Sequence, residues 1–400
     1  MPILLLTIML SGMGFGLVLP AFLFYAQNVG GSVIIATTIV GCYSLGQFIA
    51  NPIWGRMSDR HGRKPMLLLS MGGMVVAYLV MAFAENLWVL GIARLMTGLM
   101  GGNIPVAMAY IADITPVEKR AQGMGLVGGA ISIGFIVGPA VGGLLGGADA
   151  DTATLLWPSL AAAGLSAVTL IATCFLKESL PAEKRAALYD ANRPTGWAAT
   201  KTVLQRSILA RLIVIGFLAY FAMGFFETIM PLWTQARFDW GPVDLGFCFM
   251  YLGVIVGFTQ AYLVGKLAPL YGEAKLVLFG VGAYVFGLLW MTQVPNWQLM
   301  LVGITFTAAG GALATTSMTS LVSRQADEHE RGLVLGVYNS GAWMGRFLGP
   351  PMSGLLFQTI AVQAPLYGAA IIMAVCFIAV AALRKRMRRE AANPLASKRG

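Results

Sequence analysis

The chain has 400 residues, 58% hydrophobic and only 11% charged, with a mean hydropathy of +0.75 and a formal net charge of +10. So few polar residues cannot coat a soluble globule of this size, so the composition excludes a soluble domain and points to a polytopic membrane chain. Cys42, Cys174, Cys248 and Cys376 stand singly in apolar runs, and His61 and His329 in polar links. No metal site, disulfide framework, nucleophile with its base or strand-to-helix phosphate loop is expected. The reading is therefore not an enzyme and has no cofactor.

Twelve apolar spans are predicted, at 3–26, 33–57, 65–84, 87–111, 121–147, 154–176, 208–235, 243–268, 275–293, 297–322, 332–358 and 362–383. Each is long enough to cross a bilayer as a helix. The first lacks the basic leader and small-residue cleavage site of a signal peptide and is expected to stay as a helix. The longest polar stretch, with Glu183, Lys184, Arg185, Asp190, Arg193, Lys201 and Arg206, separates the sixth span from the seventh. It sets the expected organisation: a six-helix half at 1–177, a solvated linker at 178–206, a second half at 207–385 and a basic tail at 386–400. Of the 27 Lys and Arg, Arg237 alone falls on one side and Arg94 and Arg346 lie within spans; the rest crowd the other side. By the positive-inside rule that side is the cytoplasm, with both termini on it, in a cell (inner) membrane. The charge is thus a topology signal directed at membrane lipid, and no nucleic acid partner is expected.

The halves repeat. A shift of 211 residues lays Arg120, Gly125, Gly134, Gly138, Pro139 and Gly143 on Arg331, Gly336, Gly345, Gly349, Pro350 and Gly354, and Pro20 on Pro231. A shift of 210 sets Gly55 and Gly62 on Gly265 and Gly272. The fold class expected is all-α, twelve transmembrane helices as two parallel six-helix pseudo-repeats.

Between the second and third spans stands Gly55-Arg56-Met57-Ser58-Asp59-Arg60-His61-Gly62-Arg63-Lys64-Pro65. So many charges cannot stay in hydrocarbon. This G-x-x-x-D-R-x-G-R-K pattern resembles the loop between helices two and three of the major facilitator superfamily. The resemblance implies a cytoplasmic gate of Gly55, Asp59, Gly62, Arg63 and Asp113. In that gate the glycines allow a turn and close approach, Asp59 caps a helix start in the other half, and Arg63 pairs with Asp113. The plainer alternative is a set of positive-inside anchors. Residues 129–143 of the fifth span resemble the antiporter signature G-x-x-x-G-P-x-x-G-G, carried by Gly134, Gly138, Pro139, Gly142 and Gly143; a small-residue packing face is the alternative. Arg94 and Gly98 match the family's R-x-x-x-G motif, which implies a cavity arginine linked to proton coupling.

Glu227 is the only acid deep in a span, and Arg346 lies midway along the eleventh. With Arg94, they are the candidates for proton coupling; a static Glu227–Arg346 pair or recognition of substrate charge are the alternatives. The resemblance places the substrate cavity between helices carrying Tyr25, Asn103, Tyr220, Phe226 and Trp233, with Gln47, Asn51, Asn339 and Trp343 from flanking helices. Such aromatic surfaces favour apolar and cationic shapes. Among the superfamily, the chain looks most like the tetracycline exporters within the twelve-helix drug:proton antiporters. It departs from them by holding Ser11, Ala77 and Ala283 where that pattern carries acids. The expectation is a monomeric exporter of small amphipathic or cationic compounds in exchange for protons. A proton symporter for a small metabolite, and an exporter or flippase of lipid- or siderophore-like molecules, are the competing readings.

Overall fold

The computed structural model describes residues 2–116, 119–181, 197–327 and 330–392. Residues 182–196, most of the expected linker, and 393–400 of the tail lie outside the described residues, as does His329. The helices are α1 (Pro2–Asn28), α2 (Val33–His61), α3 (Arg63–Ala82), α4 (Leu87–Met100), α5 (Ile104–Ile114), α6 (Arg120–Gly146) and α7 (Leu156–Cys174). They continue as α8 (Trp197–Leu204), α9 (Ser207–Phe238), α10 (Pro242–Phe258), α11 (Val264–Tyr271), α12 (Glu273–Gln293), α13 (Trp297–Arg324), α14 (Arg331–Thr359) and α15 (Ala364–Ala392). Among the described residues, eleven segments are long and apolar enough to cross a membrane, α4 with α5 and α10 with α11 each counting as one. The 29-residue α14 is as long as the others, and it completes an all-α polytopic membrane protein of twelve long segments. Large apolar side chains point outward, Leu69, Trp88, Phe175 and Ile371 among them. Serine and threonine hydroxyls inside the helices donate back to the carbonyl one turn earlier, as Thr7 does to Ile3 and Thr173 to Thr169. Both are what hydrocarbon surroundings require.

Three expected spans are corrected. The fourth is two helices, because Gly101-Gly102 and then Pro105 at the start of α5 cannot sustain one ladder. The Met100 carbonyl freed there accepts from Ser70 Oγ at 2.6 Å. The eighth is interrupted by a π-helical turn, Thr259–Leu263. The last runs past its apolar stretch into the basic residues, ending at Ala392.

Contacts divide the chain into two units: residues 1–193 with 227–257 and 350–362, and residues 194–226 with 258–349 and 363–400. Three helices pass from one unit to the other, α9 after Phe226, α10 after Gly257 and α14 after Gly349. Each is irregular nearby, at Pro231, at the π turn and at Pro350-Pro351 respectively. Proline and π-bulges are the usual sources of bends in long helices.

In the first unit α6 lies on α1 through facing glycines. A Cβ on Gly138 would stand 2.6 Å from the Met13 carbonyl oxygen, and Gly134 and Gly142 abut Met9 and Leu17 in the same way. Pro139 packs on Gly16. Gly143 turns instead to α10, where a Cβ would stand 3.0 Å from Gly246 Cα. Its repeat partner Gly354 meets Val33 and Thr37 at the start of α2. Toward the polar link, Leu4, Trp54, Met66, Val106, Tyr110 and Ile111 form the apolar core.

The second unit repeats this chemistry. Gly345 and Gly349 seat α14 on α9, with a Cβ 2.5 Å from Phe217 O and 2.6 Å from Phe221 O. Asn86 caps α4 by accepting from Val89 N at 3.0 Å, and Asn296, 210 residues on, caps α13 by accepting from Leu299 N at 3.0 Å. Gly138→Val is expected to lose folded protein from the membrane, since overpacking against backbone costs about 1–3 kcal/mol or more. Gly125→Ala, with open space around it, should leave yield and melting temperature unchanged. Detergent-solubilised yield and melting temperature of the two variants check this.

Candidate functional site

The polar link turns at Gly62, whose φ of 102° is open to glycine and strained for other residues. Its amide donates to Ser58 O at 3.0 Å, closing α2, and α3 starts at the next residue. The buried Arg63 guanidinium then reaches three partners: Asp59 at 2.6 Å, Asp113 at 3.3 Å and Ser58 Oγ at 2.7 Å. Asp113 accepts a further hydrogen bond from Ser179 Oγ at 3.1 Å. The start of α3 has no capping side chain of its own. Glu178 supplies one from after α7, accepting from Arg63 N at 2.9 Å and Lys64 N at 3.2 Å. A carboxylate there satisfies orphan amides and the positive end of the helix dipole. Lys64 Nζ closes the ring by donating to Cys174 O at 2.6 Å. The arrangement thus binds the end of α2, the start of α3, the end of α5 and the first residues after α7.

Asp59 is half exposed and its ion pair is with Arg63. Gly55 departs from its expected part: it lies inside α2, which continues to His61, and nothing in its unit approaches it. Ser58, Glu178 and Ser179 were missed, because serine and a carboxylate far along the chain carry no local signal.

A second site of the same form was also missed. Gly272, with φ 79°, ends α11 and starts α12 at Glu273. Glu273 pairs with Arg324 Nη2 at 2.7 Å and accepts from Ser320 Oγ at 3.4 Å. Glu273 lies 210 residues from Arg63, and Arg324 211 residues from Asp113. The same bond is made with the charges exchanged. A search for repeated identities finds Gly272 opposite Gly62 but passes over the ion pair, because neither charged residue is repeated.

Arg94 sits in α4 beside the crossing with α2. Gly98 abuts the Tyr43 carbonyl, and a Cβ on Gly46 would stand 2.7 Å from Leu95 O. This close crossing brings the Tyr43 ring to 5.1 Å from the Arg94 guanidinium carbon, with Phe22 at 4.8 Å and Phe15 at 5.4 Å from α1. In the second unit Arg346 is 5.5 Å from the Tyr220 ring. Of the aromatic residues expected to line the cavity, Tyr220 thus has an arginine of the chain itself beside its ring. Glu227 is half-buried in α9 between the buried Phe226 and Thr228; it belongs to the first unit and Arg346 to the second.

Several expected lining residues have partners within the protein. Asn103 Nδ2 donates to Ser70 Oγ at 2.9 Å, sealing the break after α4. Tyr25 Oη donates to Ala84 O at 2.6 Å, and Gln47 Nε2 to Tyr43 Oη at 2.9 Å. Trp233 is fully buried, edge-on to Phe238, and Phe226 packs edge-on to Tyr284. Asn51 keeps a buried side-chain oxygen with no hydrogen-bond partner. Trp343 and Arg346 are half-buried and Asn339 exposed along α14.

A family model described as Major Facilitator Superfamily matches residues 4–289 and 260–400. The chain belongs to this superfamily. It is 30% identical over 365 residues to the class H tetracycline resistance protein of Pasteurella multocida, covering 89% of this chain and 88% of that one. It is 27% identical to multidrug resistance protein 2 of Bacillus subtilis (strain 168), covering 89% and 88%. The crystal structure of the human organic anion transporter MFSD10 (TETRAN) shares the fold, with a TM-score of 0.70 at 22% identity over 95% of this chain and 98% of that one. The chain is thus a multi-pass superfamily transporter of small molecules, and not an enzyme.

Within this superfamily the departures at Ser11, Ala77 and Ala283 have a plain structural reading. Ser11 Oγ donates to Thr7 O at 2.9 Å and touches Met71 Sδ at 3.6 Å. Ala77 is buried, and Ala283 faces Gly310.

The two link sites should differ in strength. Arg63→Gln leaves Asp113 short of a buried partner and should cost about 3 kcal/mol. Glu273→Gln leaves Arg324, 69% exposed, to water and should cost under about 1 kcal/mol. Melting of the purified variants should rank them in that order. The double exchange Glu273→Arg with Arg324→Glu should melt closer to wild type than either single reversal.

Proposed function

We propose that the chain is a proton-coupled exporter of small amphipathic compounds, working by alternating access in a cell (inner) membrane with both termini cytoplasmic. The proton gradient is its energy source, and it works as a monomer without a cofactor. The observation that carries the reading is Glu227, the only acid of the chain deep within a span, in a superfamily chain with tetracycline and multidrug resistance proteins as relatives over most of its length. An ionisable group at that depth is costly unless it does work, and a carboxylic acid can cross the membrane field loaded or empty. The acids of the tetracycline-exporter pattern are replaced here, so coupling falls to the second half.

In this cycle a proton from outside loads Glu227, with Arg346 and Arg94 as further proton-coupling candidates, and substrate leaves. The halves then rock, the proton is lost to the cytoplasm and substrate loads. The Asp59, Arg63 and Asp113 cluster, turned by Gly62, acts as the cytoplasmic gate; Glu178 holds the start of α3 under it. The glycine face of α6, the antiporter-motif stretch, is the close-packed surface on which α1 is seated. The candidates for substrate contacts are Tyr25, Gln47, Asn51, Asn103, Tyr220, Phe226, Trp233, Asn339 and Trp343. The apolar character of the spans and the efflux relatives favour export over uptake of a polar metabolite.

Proteoliposomes with an acid lumen and a trapped pH dye test this. Adding tetracycline or an amphipathic dye should collapse the gradient with wild type and not with Glu227→Gln of unchanged melting temperature. Collapse that persists in the variant would move the proton elsewhere. Gradient-driven uptake of one hydrophilic metabolite, without collapse by any amphipath, would overturn export.

A further inference from the structure

Arg94 is 2% exposed, and among the described residues its guanidinium makes no ion pair and no hydrogen bond; its Nε is buried without a partner. Its ring contacts are with Phe15, Phe22 and Tyr43. Such rings stabilise the charge through their faces and accept none of its in-plane N–H bonds in the manner of an oxygen. The other buried arginine among the described residues, Arg63, differs in kind, with two carboxylates and a hydroxyl. A buried guanidinium with open N–H edges carries a desolvation cost that an oxyanion would remove.

Phe22 is buried, whereas Phe15 and Tyr43 are half-buried and pack on one another with ring centroids 4.6 Å apart, so these two rings are the part of the cage within reach of another molecule. Gln47 donates to the Tyr43 hydroxyl from one turn along α2 and holds that ring in place. Gly98 and Gly46, by admitting the α2 backbone, fix the distance between ring and guanidinium.

We propose that Arg94 is an anion-recognition site, and that the compounds this chain handles carry an acidic group, a carboxylate, sulfonate or enolate, on a flat apolar body. The oxyanion takes the guanidinium edge while the apolar body stacks on Phe15 and Tyr43. An unpaired buried cation also works against a rival substrate, since a second cation there meets like charge in low dielectric. This narrows the proposed export reading to a substrate class and rests on it for the direction of transport only.

The test uses the purified full chain in nanodiscs, with 2-naphthalenesulfonate and 2-naphthylmethylammonium as probes of one ring and opposite charge. Wild type should bind the sulfonate at least about tenfold more tightly than the ammonium and be raised in melting temperature by it alone. Arg94→Gln should lose that preference, and Arg94→Lys, which keeps the charge without the planar fork, should keep part of it. If Arg94→Gln does not fold, the wild-type and Arg94→Lys measurements decide. Equal binding of both probes by wild type overturns the proposal. So does a preference that survives Arg94→Gln, or an equal loss of both probes, which would make Arg94 structural. No gradient is present in this assay, so failure of proton coupling at Glu227 leaves its outcome standing, and its failure leaves the coupling experiment standing.

Discussion

Hydrocarbon offers no hydrogen bonds, and most of what is specific in this structure follows from that single constraint. Backbone groups must be satisfied within the chain, so the spans are helices, and the break after α4 is sealed. The break after α4 is closed by Ser70 and Asn103, and buried threonines bond back to their own helix. Charge obeys the same rule. Arg63, at the water boundary, is surrounded by acids; Arg94 and Arg346, inside spans, are covered by aromatic faces. Where the rule is left incomplete, as at the Arg94 guanidinium edges, a ligand is the natural way to complete it.

The two sequence halves keep the geometry of their shared ancestry more faithfully than the residues. Gly62 and Gly272 make the same turn, Asn86 and Asn296 the same cap, and Gly138 and Gly349 the same helix seat. Yet the bond joining each turn to the far helix has exchanged its charges, Arg63 with Asp113 and Glu273 with Arg324. A pair can invert its polarity with little change in attraction. A turn that needs positive φ cannot exchange its glycine so freely. The first site also has Glu178 and a third acid, and its arginine is buried; the second is a single bond at the surface. That asymmetry gives the two halves unequal hold on these links.

Much of the fold was legible because membrane helices announce themselves by apolar length. The positions that failed were those where a helix is interrupted without losing hydrophobicity, at Gly101-Gly102 and at Thr259–Leu263. The site was legible where the motif is contiguous, as with Gly62 and Arg63, and not where it is assembled from distant segments. Glu178 and Ser179 lie more than a hundred residues from the turn they serve. Lining residues are the least legible, since Asn103, Tyr25 and Trp233 look alike in sequence whether they face a ligand, a carbonyl or a neighbouring ring.

From the sequence alone came the number of the spans and the extent of most of them, the charge asymmetry of the links, the internal repeat and the motif residues. All of these are encoded locally, by hydropathy, by turn geometry and by spacing along one chain. Only the tertiary structure decided which side chains answer one another: that Arg63 is shared by Asp59 and Asp113, that Glu178 caps α3, and that Arg94 lies among rings with its edges open. These depend on how closely two helix backbones approach, which here is governed by glycines such as Gly98 and Gly138 facing a carbonyl on another helix. The sequence shows the glycine but not the carbonyl it faces.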